Sequence, residues 1–164
     1  MFDQVSLGAP ENAVGFVLWR IVARYQREVD RALILEKITN LQFITLALVA
    51  WFGRNGQAIT QIELARSAGI HPMQVSQTLK ALEGKKLVLR RRSTADTRAK
   101  QVEVTSSGLR ILQSALPKVI EVQDRLFGEA GHPGGRLLSQ LLQLDNDTLE
   151  KIPKGWSSRE ASSL

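Results

Sequence analysis

The residues with the most chemistry at their disposal lie together at 85–100, KKLVLRRRSTADTRAK, a stretch with seven basic side chains and one acid. Its net of +6 equals the net charge of the whole 164-residue chain, so the remaining sequence balances 15 cations against 15 anions. Guanidinium and ammonium groups at this density hold phosphates or carboxylates, or repel one another into solvent. The other reactive types are sparse. His71 and His132 each precede a proline, neither stands near a recognisable nucleophile motif, and the chain has no cysteine. Catalysis and a bound metal or cofactor are therefore not expected, and His71 reads as a helix-start residue rather than a pH switch.

The surroundings of the basic run indicate what it serves. Thr60, Gln61, Ile62 and Glu63 spell a capping box, in which the threonine hydroxyl accepts from the backbone three residues on and the glutamate reaches back. A short helix, QIELARSA, follows. Gly69 suits a left-handed helix end and Pro72 the first turn of the next helix. In that second helix Val75, Leu79 and Leu82 share one face, which turns Gln74, Ser76, Gln77 and Lys80 outward. After Gly84 the period changes from helical to extended: KLVLR and QVEVT bracket a charged loop at about 92–100, which predicts a hairpin.

Longer helices flank this unit. From Ala13 to about Glu36, Val14, Leu18, Ile21, Val22, Tyr25, Val29 and Leu33 recur at steps of three and four. LQFITLALVAWF is apolar almost all round, which predicts an enclosed helix; at 12 residues it is too short to cross a bilayer. Thr105 caps another long helix with Leu109, Leu112, Leu116, Val119, Val122 and Leu126 on its stripe, and Pro117 is expected to kink it. RLLSQLLQLDNDTLEKI is a last amphipathic helix. The terminal stripes are too wide for so small a chain to cover, which predicts packing on a second copy.

Helix, glycine turn, helix and basic hairpin, in that order, is the layout of a winged helix-turn-helix. A helix fits the major groove, and an arginine-bearing loop beside it reaches the minor groove or the phosphates. The stretch LARSAGIHPMQVSQTLKALEGKKLVLRRRSTADTRAKQVEVTSSG resembles the multiple-antibiotic-resistance regulators, the MarR family. The likeness is carried by the LA…G first helix, VS and L…LE.KKLV in the second, the wing pattern R….D.R and the closing V.VT..G. With QFITL before it and long helices at both ends, it extends over about 13–150.

The resemblance implies a mainly α fold with a small β-hairpin, a winged helix-turn-helix carrying long terminal dimerisation helices. It also implies a homodimer bound to a pseudo-palindromic double-stranded DNA operator, usually as a repressor. The organisation expected is a tail at 1–12, dimerisation helices at 13–36 and 105–150, a continuous DNA-binding lobe at 37–104 and a tail at 151–164. Gln74, Ser76, Gln77 and Lys80 are the candidates for base and major-groove contact. Arg98 is the candidate wing tip, since a guanidinium tolerates a narrow, negative groove. Asp96, an acid within the loop, is expected to hold a neighbouring arginine in place. Of the alternating Arg90, Arg91 and Arg92, Arg90 and Arg92 are the pair expected to face phosphate. His71 and Gln77 depart from residues common at these positions in the family, so no operator sequence carries over.

Members of the family often release DNA on binding a small aromatic or anionic compound. Trp19, Arg20, Phe43, Trp51 and Phe52 are the residues available for such an effector, although aromatics at helical spacing also serve as ordinary core. A strongly basic isoelectric point, the absence of cysteine and an N-terminus without signal-peptide features lead to the expectation of a cytoplasmic protein with no membrane partner. The rival reading is a protein-interaction module that docks the basic hairpin on an acidic surface.

Overall fold

The computed structural model of the chain describes residues 8–54, 56, 58–92 and 100–149. After a 3-10 turn at Pro10–Asn12 the helices are α1 (Val14–Ala32), α2 (Asn40–Gly53), α3 (Gln61–Ala68), α4 (Pro72–Gly84), α5 (Ser106–Phe127) and α6 (Arg136–Leu149). The strands are β1 (Ile59–Thr60), β2 (Val88–Arg92) and β3 (Lys100–Val104). They form one antiparallel sheet in the order β1-β3-β2, with Arg90 opposite Val102 and Ile59 on the far side of Val102. The two-residue β1 is an addition to the expected hairpin.

α1 stops at Ala32 rather than near Glu36. Beyond it the backbone tightens, with Glu36 N–H bonding to the Leu33 carbonyl and Lys37 N–H to that of Ile34. Lys37 then turns left-handed at φ 55°. Two groups make the exit favourable. Thr39 and Gln42 form a capping box at the start of α2, and the Asp30 carboxylate accepts from Asn40 N–H at 2.6 Å. An acid at that position also favours the positive end of the α2 dipole.

α2 is the enclosed helix that its composition predicts: Phe43, Leu46 and Val49 are buried in the core with Val29 and Leu33 of the first segment. Leu64 and Ala65 of α3, Val75, Leu79 and Leu82 of α4, and Val88 and Val102 of the sheet complete one side of that core. Leu112, Ala115, Val119 and Val122 of α5 close the other, against α1 and α2. α5 runs unbroken from Ser106 to Phe127 with Pro117 inside it. The expected kink is thus no interruption of the helix.

An ion pair between a buried carboxylate and a half-buried lysine ties the α1–α2 connection to α5. The Glu36 side chain, 4% exposed, accepts from Lys118 Nζ at 2.5 Å and from the Ser114 hydroxyl at 2.8 Å. The Lys118 hydrogen bond is the main reason that its carboxyl is held below the usual value. The apolar positions at the start of α1 have no such cover: Val14, Leu18, Ile21 and Val22 are exposed, as are Leu109, Leu116 and Ile120 of α5 and Leu141, Leu142 and Leu144 of α6.

Gly108 marks the tightest junction. A Cβ there would lie 2.3 Å from the Leu87 carbonyl oxygen and 2.8 Å from Val104 Cγ2. Since the first neighbour is backbone, Gly108→Ala must move α5 off the sheet, at a cost of about 1–3 kcal/mol, read as a lower urea midpoint with an unchanged slope. A second prediction concerns the elbow between α5 and α6. His132 Nε2 lies 2.8 Å from Asp124 Oδ1 and Nδ1 lies 3.4 Å from Glu129 Oε2. The Asp124 hydrogen bond, followed by the charges of both acids, raises the imidazole above its ordinary 6.5. A raised histidine stabilises the fold below the unfolded value and loses that contribution as pH rises through the folded one. The melting temperature should therefore fall as pH increases past about 6.5, and His132→Gln should flatten that segment of the profile.

Candidate nucleic-acid interface

The helix-turn-helix is built by local rules. Thr60 Oγ1 accepts from Glu63 N–H at 3.3 Å while Glu63 Oε2 accepts from Thr60 N–H at 2.8 Å, which sets the start of α3. Gly69, at φ 61° and ψ 26°, ends α3 in the left-handed region that costs glycine nothing. Ile70 N–H then bonds to the Ala65 carbonyl at 3.1 Å. His71 caps α4, its Nδ1 accepting from Met73 N–H at 3.3 Å, and Pro72 fills the first turn. His71 thus has a structural duty in the free chain.

α4 buries Val75, Thr78, Leu79 and Leu82, and the Thr78 hydroxyl donates to the Gln74 carbonyl at 2.8 Å, so it asks nothing of solvent. Gln74, Gln77 and Lys80 are exposed, and Ser76 is half-buried at the flank. Gln74, Gln77 and Ala81 follow steps of three and four, so amide groups line one outward ridge. Met73, also exposed, extends that face at its start and was not singled out from the sequence.

The basic run divides into separate uses. Lys85 Nζ donates to the Lys37 carbonyl and, at 2.8 Å, to Gln42 Oε1, which braces the end of α4 against the start of α2. Arg90 points to the inner side of β2, its side chain 18% exposed, and both Nε (2.9 Å) and Nη2 donate to Glu83 Oε2 of α4. The expectation that Arg90 faces phosphate is therefore corrected: alternation along β2 puts it on the face of buried Val88, and its fork holds the wing to the recognition helix. Arg91 lies on the opposite, exposed face, 3.7 Å from Glu103 Oε2. Arg92 closes β2 opposite Lys100, and its side chain lies outside the described residues. Asp96 and Arg98 lie outside them too. Glu83 and Glu103 carried no signal in the sequence beyond ordinary acids, since their partners are set by the strand register.

The effector candidates separate. Trp19, 67% exposed, and Arg20 line a cleft of about 440 Å³ on α1 with Val17, Arg24 and Arg27. Phe16 stacks on Trp19 at 6.2 Å and lies 5.8 Å from the Arg20 guanidinium carbon. Phe43, Trp51 and Phe52 do not line it. Phe43 is 7% exposed within the core, so its assignment to an effector pocket is corrected by its packing. Trp51 carries the Arg54 guanidinium 3.7 Å above its ring, and Phe52 packs half-buried on the core. A second cleft, of about 410 Å³ between α1 and the α5–α6 elbow, was not foreseen; Leu18, Ile21, Val22, Tyr25, Phe127 and Leu141 are among its walls. Burial raises the Tyr25 hydroxyl above its usual range, with the Gln123 hydrogen bond opposing. Among the described residues no helix is long and apolar enough to cross a membrane.

The arrangement is that of known regulators. The sequence profile described as MarR family matches residues 38–100. The HTH-type transcriptional regulator YdcH of Bacillus subtilis is 30% identical over 135 residues, which is 82% of this chain and 91% of the relative. M. tuberculosis MosR in complex with DNA superposes with a TM-score of 0.69 at 25% identity, over 84% of this chain and 97% of that one. CouR from Rhodococcus jostii RHA1, bound to p-coumaroyl-CoA, superposes with a TM-score of 0.73 at 23% identity, over 89% and 99%. A glycine-turned helix pair with an amide-lined outer ridge, a sheet locked beside it and a likeness that extends from α1 into α6 all agree: this chain belongs to the MarR family of winged helix-turn-helix, DNA-binding transcription regulators.

Proposed function

We propose that the chain is a sequence-specific repressor that binds a pseudo-palindromic double-stranded operator as a cytoplasmic homodimer and releases it when a small aromatic or anionic effector binds. The observation that carries the reading is the exposed ridge of Gln74, Gln77 and Lys80 on a helix whose apolar side is locked into the lobe. Amide side chains pair with adenine in a bidentate way, and a rigid mount is what base readout requires. Ser76, at the flank, fits a phosphate or sugar contact. Arg92 and Arg98 supply wing contacts, with Asp96 shaping the loop between the strands. The uncovered apolar faces of α1, α5 and α6 support the homodimer, and two recognition helices would then meet successive major grooves roughly 34 Å apart. For the effector, the Trp19 and Arg20 cleft offers an indole face beside cations, and the CouR complex supports a ligand that is both aromatic and anionic. Such a ligand must favour one spacing of the recognition helices over the other, since only differential affinity shifts an equilibrium.

The test is a gel shift and fluorescence titration with fragments selected from random DNA. A dimer making about eight to ten phosphate contacts should show a log–log salt slope of roughly −7 to −9. Gln77→Ala should cost about 1–3 kcal/mol on the selected site and relax preference at one position per half-site, whereas Arg98→Ala should weaken all sequences alike. Failure to select any preferred sequence would overturn the operator reading and favour a protein-binding role for the hairpin.

A further inference from the structure

α6 carries a charge in the wrong place for a lone amphipathic helix. Leu138, Leu141 and Leu142 lie on one side of it, and Asp145 follows them at steps of seven, four and three, inside the apolar stripe rather than opposite it. Leu138 is half-buried, but Leu141 and Leu142 are exposed and Leu144 is 77% exposed, so its own chain covers this stripe only in part. Asp145 is exposed, and among the described residues nothing pairs with it. The last turn of α6 holds no basic residue to offset an acid near the negative end of the helix dipole.

α1 shows the opposite imbalance. Arg20, Arg24 and Arg27 follow one another at steps of four and three, a spacing at which like charges repel. Among the described residues none has a carboxylate partner, although Glu28 serves both Arg31 and Arg125 one turn further on. Arg24 also borders the apolar cleft formed by Leu18, Ile21, Val22 and Tyr25 with Leu126, Phe127, Leu137 and Leu141. The chain thus brings Leu141 of α6 to that cleft and leaves Asp145, one turn on, unmatched.

We infer that the occupant of this surface is α6 of a second copy of the chain, with Asp145 of each copy paired to Arg24 of the other. This deepens the homodimer reading given above and rests on it. A two-fold axis makes the match reciprocal, since one surface bearing an apolar cleft, a spare cation and a spare acid complements itself. The leucines supply the attraction, and the pair fixes the register: a charge within an apolar seam is tolerated only where its counter-charge arrives, so slid or reversed packings are penalised. A DNA phosphate or free anion on the arginines would leave both Asp145 and the leucine stripe uncovered.

The experiment is charge reversal and rescue on the full chain, with the dimer dissociation constant measured by sedimentation equilibrium in the absence of DNA. Arg24→Asp and Asp145→Arg should each raise it about thirtyfold or more, and the double variant should return it to within about threefold of the unaltered protein. Single reversals that leave it unchanged, or a double variant that fails to recover, overturn the pairing. Monomeric unaltered protein at micromolar concentration overturns the homodimer reading as well, which separates the two failures. Both side chains are exposed in the single chain, so neither reversal should alter its folding, which circular dichroism monitors. Asp145→Asn, which removes the charge without reversing it, should weaken the dimer less than Asp145→Arg; equal or greater weakening opposes the inference.

Discussion

The fold depends on one crowded point of backbone, the carbonyl of Leu87. Thr105 N–H donates to it at 3.0 Å, the Thr105 hydroxyl is shared between it (3.1 Å) and the Lys86 carbonyl (2.8 Å), and Gly108 Cα passes so close above it that no side chain fits. The Leu87 N–H meanwhile donates to the Leu82 carbonyl at the end of α4. A single residue thereby joins the recognition helix, the first wing strand and the start of α5. Lys86, at φ 59°, takes the left-handed turn that lets the chain reverse there. A glycine is the usual occupant of such a position, and the lysine retains a charge on the outside of the turn.

Around that point electrostatics perform two kinds of work that composition cannot distinguish. A run of seven cations in sixteen residues reads as a uniform basic surface. In the folded chain Lys85 is a brace to the Lys37 carbonyl and Gln42, and Arg90 is a clasp on Glu83. Neither is free for a polyanion at no cost, because releasing a half-buried guanidinium leaves Glu83 without it. Fewer of these cations are therefore unengaged than the count suggests, since Lys85 and Arg90 are held within the lobe.

The features legible in the sequence are those decided within a few residues. The Thr60 box, the left-handed Gly69, Pro72 in the first turn and the period-two strands all depend on local backbone chemistry and stand where their spacing puts them. The Thr39 and Gln42 box has the same signature and was open to the same reasoning. The rest depends on register or on distant neighbours. Which arginine of β2 turns inward follows from Val88 filling the core, a fact of packing rather than of alternation, which yields two equal choices. Phe43 and Trp19 are similar in sequence terms, an aromatic on a helical stripe, yet one is core and the other open. The difference is whether α2 or the back of α1 has neighbours. β1 is too short to announce itself and exists because β3 has an edge to pair.

The connection between α1 and α2 then links the two halves of the molecule mechanically. Asp30 holds the start of α2 from α1, Lys85 holds the same connection from the end of α4, and Glu36 fastens it to Lys118 on α5. All three attachments converge on residues 30–42, so charge-assisted hydrogen bonds join α1, α4 and α5 to the same short connection. Glu36 is the most demanding of them, because its carboxylate is buried and losing Lys118 would leave an uncompensated charge. The same short connection is thus tied to the end of the recognition helix on one side and to α5 on the other.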